Sequence, residues 1–356
     1  MKTKAAVLYE IGNPLLIGEL QIPELQHGQV LVRVLYGGLC HSQLNEIKGL
    51  KVKDNYLPHT LGHEGSGIVE SIGQGVTKVK PGDHVVLTWI KGNGLDVPST
   101  IYQGGNGIVN SGAISTFMEC AIVSENRLVV IPDEMPLREA SLLGCAVPTG
   151  AGMVINTARV RPGSSVAVFG VGGVGLSAVM ASSLVNATKV IAIDVSDYKL
   201  EQARQLGATH LINARQQDSL VSILKITDGR GVDYAIEAAG QCDTMETAFL
   251  SVCENGGLCV LAGNLPHGER ISLNPFDLIR RGKRLVGTWG GETQPDRDIP
   301  MYVNLYLSGR FELDRLLTHS YGLDDINQAL EDFENGKIGR ALIDMSQDIG
   351  ERARQS

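Results

Sequence analysis

The chain has 356 residues, enough for two domains with substantial cores, and its 43% apolar and 20% charged residues are those of an ordinary globular protein. A net charge of -8 and a pI near 5.5, with no dense Lys/Arg patch, speak against a phosphate-tracking nucleic-acid surface. The opening MKTKAAVLYE has no long apolar run and no cleavage pattern, so a cytoplasmic protein without a secretory signal is expected.

The first third predicts short strands separated by turns. Val30 to Leu35 and Gly67 to Ile72 are β-rich runs, and Val79-Lys80-Pro81-Gly82-Asp83 turns into Val85-Val86-Leu87. An irregular β-barrel or a sandwich follows from this spacing. The glycine-rich segment Gly92 to Gly112 reads as loop. From about residue 150 strands and helices alternate. Short apolar strands are predicted at Val166–Phe169, Val190–Ile193, His210–Ile212, Tyr234–Glu237, Leu258–Leu261 and Leu285–Trp289, with amphipathic segments such as Asp197–Leu206 between the first few. That rhythm belongs to a parallel, doubly wound sheet. After about Pro300 the tail reads as more helical, with a helix from Asp325 to Asn335 stopped at Gly336.

The run Val166 to Val185 carries no charge, and a membrane span needs about 20 such residues. Four glycines crowd its first half, which favours a strand, a turn and a helix. Six cysteines at irregular spacings, Cys40, Cys120, Cys145, Cys242, Cys253 and Cys259, argue for free thiols or metal ligands over a disulfide framework.

Gly170-Val171-Gly172-Gly173-Val174-Gly175 follows one predicted strand and opens a helix. In that setting the glycines permit a tight turn, close approach of backbone to a pyrophosphate, and close helix–strand packing. The helix N-terminus adds unpaired N–H groups for phosphate. Asp194 ends the next strand about 20 residues on, where an acid holds a ribose 2′-hydroxyl and repels a 2′-phosphate. NAD is therefore expected over NADP, with a helix N-cap the alternative role for Asp194.

Cys40, His63 and Cys145, with Glu64 beside His63, supply two thiols, an imidazole and a carboxylate. Two thiolates and one imidazole leave a fourth position open, as catalytic zinc requires. Each residue also has a plainer explanation: Cys145 as a small buried apolar group, His63 as a turn residue.

The motifs G-L-C-H-S (38–42), G-H-E-G-S-G (62–67), V-K-P-G-D-H-V (79–85) and G-V-G-G-V-G (170–175) occur in this order. Together with I-S-L-N-P (271–275) and Gly339-Arg340, they resemble the medium-chain zinc alcohol dehydrogenases over nearly the whole chain. The resemblance implies an α/β architecture, in which a GroES-like β-barrel catalytic domain (1–147 and 290–356) holds an inserted doubly wound Rossmann domain (148–289). It implies zinc on Cys40, His63 and Cys145, with Glu64 near enough to take the fourth position transiently. It also implies Ser42 as the hydroxyl that bonds the substrate oxygen. For NAD it implies His41 and Arg340 near the pyrophosphate and Lys199 near the adenosine ribose, beside Gly170, Gly172, Gly173, Val174, Gly175 and Asp194. The partners it implies are a small alcohol or aldehyde and a second copy or copies of the chain, as homodimer or homotetramer, with no nucleic acid or membrane. Trp89 matches a pocket-lining position, with packing between domains the alternative for it and for Trp289.

Three departures stand out. Relatives with a structural zinc carry four closely spaced cysteines in a lobe where Lys91–Glu119 has none, so one zinc per chain is expected. Many relatives end a proton relay at a histidine where this chain has Asn45, which cannot titrate near neutral pH. The acid that orients the zinc histidine is here Gln43, expected to accept from the ring as a neutral group. Two other readings fit the nucleotide motif: a zinc-free quinone or enoyl reductase of the same superfamily, and a non-catalytic NAD-binding protein. Neither has a use for the Cys40–His63–Cys145 set.

Overall fold

The computed structural model describes residues 1–51 and 54–346. The chain divides into two compact units, one of Met1–Cys145, Gln294–Gly309 and the residues from Leu313 on, the other of Ala146–Thr293 with Arg310–Glu312.

In the first unit five strands close into a barrel, in the order Lys2–Leu8, Leu16–Gln21, Ile101–Gly104, Gly107–Asn110 and His59–Thr60, the last pairing back onto the first. This decides for a barrel over a sandwich. It also corrects the reading of Gly92–Gly112 as loop. Ile101–Gly104 and Gly107–Asn110 form a hairpin closed by Gly105 and Asn106, with Tyr102 and Val109 buried on its inner face. The many glycines hid an alternation that is present in the sequence.

A seven-stranded sheet runs Leu128–Val130, His84–Thr88, Glu64–Ile72, Gln29–Gly38, Arg340–Asp344 and Leu317–Gly322, with Cys120–Ser124 also paired to Gln29–Gly38. The last two of these strands correct the helical reading of the tail. The helix expected there is present as Ile326–Glu334, and it buries Ile326, Ala329, Leu330 and Phe333, the spacing of one helical face. Trp89 packs half-buried against the core of this unit.

The second unit is a six-stranded parallel sheet ordered His210–Asn213, Lys189–Asp194, Ser165–Phe169, Tyr234–Glu237, Leu258–Leu261 and Arg284–Gly287. The final strand stops at Gly287, short of the expected Trp289, which is exposed. Every residue of Ser165–Phe169 is buried, as befits a strand covered on both faces. Burying a side chain such as Phe169 or Phe249 stabilises this unit by about 1.5–3 kcal/mol. The strand order reverses between Ser165–Phe169 and Tyr234–Glu237, the switch point at which open α/β sheets bind ligands. The uncharged run at 166–185 is that strand and the helix Gly173–Leu184, and no single helix among the described residues is long and apolar enough to cross a membrane.

The glycine loop lies at this switch point. Gly170 has φ +79°, and a Cβ on Gly175 would lie 1.9 Å from the Gly170 carbonyl oxygen. Gly172 has open space around it. The two positions therefore predict opposite phenotypes. Gly175→Ala should lower stability by roughly 1–3 kcal/mol through overpacking. Gly172→Ala should leave denaturant unfolding unchanged and weaken NADH binding, followed by fluorescence titration.

Candidate functional site

The register of the seven-stranded sheet assembles the site in the first unit. Four neighbouring strands alternate in direction, so one end of the sheet collects the end of Gln29–Gly38, the start of Glu64–Ile72, the end of His84–Thr88 and the start of Arg340–Asp344. The first leads directly into Leu39 and Cys40, and His63 immediately precedes the second. Thr88 pairs with Glu64 across the sheet, and its buried hydroxyl donates to the Gly144 carbonyl at 2.7 Å, fixing the backbone next to Cys145. Arg340 opens the fourth strand and donates from its guanidinium to the Leu39 carbonyl at 2.6 Å.

Cys40 Sγ, a ring nitrogen of His63 and Cys145 Sγ accordingly lie within 4.8 Å of one another. His63 Nε2 is 3.2 Å from Cys145 Sγ. Cys145 is buried, and the other two are half-buried. The Cys145 thiol, through its hydrogen bond, holds Cys40 well below the ordinary thiol range against the cost of removing charge from water; His63 and the Arg340 guanidinium add to the effect.

Glu64 is completely buried and forms an ion pair with the equally enclosed Arg340. The sequence named both residues but gave no hint that they meet, because 276 positions of chain separate them and only strand pairing joins them.

The helix His41–Ile47 begins at Cys40. Ser42 lies half-buried in its first turn, and Asn45, three residues on, shares its face. His41 is exposed, its ring 4.4 Å from that of Phe333. Gln43 is buried, and its Oε1 accepts from the Cys40 backbone N–H at 3.0 Å, half of a capping box. Its amide nitrogen faces His63 Nδ1 at hydrogen-bonding distance. Gln43 thus stands in contact with the ring of His63, where the sequence expected a neutral partner for it. A second group, Glu46, Asp54 and buried His59, gathers nearby in sequence, with His59 Nε2 2.7 Å from Asp54 Oδ2. No spacing rule marked it.

In the second unit the carboxylate of Asp194 accepts from the Val171 N–H of the glycine loop at 2.9 Å. It also accepts from the N–H groups of Val195 and Ser196, at 2.8 and 3.0 Å. The N-cap of the following helix, Asp197–Gln205, is Ser196, so Asp194 does not have the alternative role of cap. A carboxylate offers about four acceptor positions; three are used, and one remains for a ribose hydroxyl. Lys199 is half-buried on the same helix. Sequence reasoning missed Glu237. It ends the strand across the switch point, is wholly buried, and accepts from Ala239 N, Gly240 N and Thr244 Oγ1. Burial raises its carboxyl pKa. The loop it shapes packs directly on Gly170.

Two family models match the chain, zinc-binding dehydrogenase over residues 173–307 and alcohol dehydrogenase GroES-like domain over residues 26–133. S-(hydroxymethyl)glutathione dehydrogenase from a Synechocystis strain is 36% identical, over 96% of this chain and all of the relative. Among solved structures, an alcohol dehydrogenase zinc-binding domain protein from Burkholderia ambifaria is 35% identical with a TM-score of 0.90, covering 97% of this chain and 99% of that one. Benzyl alcohol dehydrogenase from Acinetobacter calcoaceticus is 33% identical with a TM-score of 0.88, over 97% and 100%.

The buried ion pair yields a stability prediction. Arg340→Ala should cost about 3–5 kcal/mol in denaturant unfolding, because Glu64 stays buried without its cation. Replacing both, as Glu64→Leu with Arg340→Met, should cost less than the single change. A double variant less stable than Arg340→Ala would show that the charges themselves stabilise the unit.

Proposed function

The chain belongs to the medium-chain zinc-dependent alcohol dehydrogenase family, which moves hydride between an alcohol and NAD, and from that premise we propose that Cys40, His63 and Cys145 hold its catalytic zinc, one ion per chain. The convergence of these three donors carries the reading. Sulfur and nitrogen ligands of a tetrahedral zinc lie about 3.5 Å apart, given Zn–S near 2.3 Å and Zn–N near 2.0–2.1 Å. The 3.2 Å between His63 Nε2 and Cys145 Sγ fits that geometry with little movement. The lowered thiol of Cys40 suits a thiolate ligand. A zinc-free reductase would have no use for such a set.

Held by these residues, zinc would supply a Lewis acid for the alcohol oxygen, and NAD would supply the hydride acceptor. The chain's own groups do the rest. Glu64 is not among the donors that converge within 4.8 Å of one another and is paired with Arg340, so taking the fourth position would require it to leave that ion pair. Ser42, two residues past Cys40, is the hydroxyl that takes up the substrate proton. Asn45 on the same helix face cannot carry that proton onward near neutral pH, so it leaves by other groups. In the second unit the helix N-terminus at Gly173 would hold the pyrophosphate, and the remaining acceptor position of Asp194 would take a ribose hydroxyl.

One zinc per chain rests on the absence of cysteine from Lys91–Glu119. Elemental analysis of the purified protein should return about one zinc. Cys145→Ala should lose that metal and turnover together, while NADH binding by the second unit is unchanged. Two tightly held zincs, or full zinc in the variant, would overturn the assignment.

A further inference from the structure

Three loops meet at the switch-point end of the second unit's sheet, each following a strand: 170–172 after Ser165–Phe169, 238–241 after Tyr234–Glu237, and 262–264 after Leu258–Leu261. They touch backbone to backbone. A Cβ on Gly170 would lie 2.7 Å from Ala239 Cα, one on Gly240 2.8 Å from the Asn264 carbonyl oxygen, and one on Gly263 2.2 Å from Gly240 N. Glu237, wholly buried, joins them. Its Oε1 accepts from Ala239 N at 3.0 Å, Gly240 N at 2.8 Å and Thr244 Oγ1 at 2.7 Å. Its Oε2 lies against Gly263, where a Cβ would come within 2.5 Å. Donors gathered on a carboxyl in this way favour its ionised form.

We propose that Glu237 is a positioning residue for the dinucleotide: its ionised carboxyl holds the loops 238–241 and 262–264 in the shape that receives the cofactor, and a proton added there loosens them and weakens binding. The inference rests on the reading of this unit as the NAD site. A protonated carboxyl offers its donors a neutral acceptor, and hydrogen bonds to an ionised group are roughly twice as strong. Loosening reaches the glycine loop through the contact of Ala239 with Gly170. Other titratable groups add little here. The three loops, Ser165–Phe169 and the helix Gly173–Leu184 carry none, and Tyr234 stands at the far end of Glu237's own strand. Leu258–Leu261 contributes the Cys259 thiol, which burial and the neighbouring Glu237 push far above the ordinary thiol range. The helix Cys242–Ser251 turns Thr244 toward Glu237, while Glu246 accepts from Ser272 N, Cys242 meets Glu269 and Asp243 is exposed. Asp194 lies across the Ser165–Phe169 strand. Burial raises the Glu237 carboxyl against the pull of its donors, so its charge is lost at higher pH than on an exposed glutamate. The cofactor-bound shape prefers the ionised form. Affinity is therefore full above this titration and falls as pH drops through it, and bound NADH reciprocally lowers the carboxyl pKa.

The test is NADH binding by fluorescence titration, from neutral pH down through the carboxyl range, in wild type and the isosteric Glu237→Gln. The wild-type dissociation constant should rise roughly ten-fold over that range, a typical coupling between two ligands. Glu237→Gln should bind at neutral pH about as weakly as the acidified wild type, with most of the pH slope gone. Glu237→Asp, which keeps the charge, should keep the slope. Titration of Asp194 would act on all three proteins alike, so the difference in slope is the quantity that decides. A second measurement needs no folded variant: in wild type labelled with 13C at glutamate carboxyls, the Glu237 resonance should titrate at lower pH once NADH is bound. Equal slopes in wild type and Glu237→Gln, or a carboxyl titration that NADH leaves unmoved, overturn the proposal. A wild type that binds no NADH at any pH overturns the reading of the cofactor site itself, and the proposal with it.

Discussion

Antiparallel pairing puts the end of one strand beside the start of the next, and the candidate metal centre depends on that constraint. Cys40, His63 and Arg340 come from widely separated stretches of chain, yet the strands that lead into or out of them are neighbours in one sheet. Cys145 is drawn in by a hydrogen bond from the next strand, Thr88 to Gly144. A one-residue slip between Gln29–Gly38 and Glu64–Ile72 would turn the facing side chains to the other side of the sheet and separate the donors. The buried Glu64–Arg340 pair spans two of these pairings, so it ties the candidate-site end of the sheet to the strand Arg340–Asp344.

The second unit solves a different problem with similar economy. Its sheet brings two carboxylates to the one place where strand order reverses, and both are engaged with the backbone there. Asp194 and Glu237 sit on opposite sides of the Ser165–Phe169 strand. The first fastens the glycine loop through Val171, and the second shapes the loop that packs on Gly170. Buried in this way, Glu237 serves the backbone around it, which is why nothing in its local sequence marks it.

Much of this was legible in the sequence. The six parallel strands are short apolar runs because both faces are covered, and the glycine motif is fixed by close approach of backbone to backbone. The three donors that converge, Cys40, His63 and Cys145, were singled out through ordered motifs, and far less clearly one by one. What escaped was set by partners distant in the chain. The Ile101–Gly104 and Gly107–Asn110 hairpin looked like loop until its inner residues Tyr102 and Val109 found the barrel interior. The strand Leu317–Gly322 has little apolar signal of its own, and Arg340–Asp344 has only the short run Ala341-Leu342-Ile343; both extend an existing sheet. That Gln43 meets both the Cys40 backbone and the His63 ring is a result of folding, which no spacing of residue types could show.

The central claim is that Cys40, His63 and Cys145 form one ligand set for zinc. X-ray absorption at the zinc edge of the loaded protein measures it most directly. The account predicts two sulfur neighbours at about 2.3 Å together with nitrogen or oxygen neighbours at about 2.0–2.1 Å, and one fewer sulfur for any Cys145→Ala protein that retains metal. A shell of four sulfurs, or one of nitrogen and oxygen alone, would contradict it.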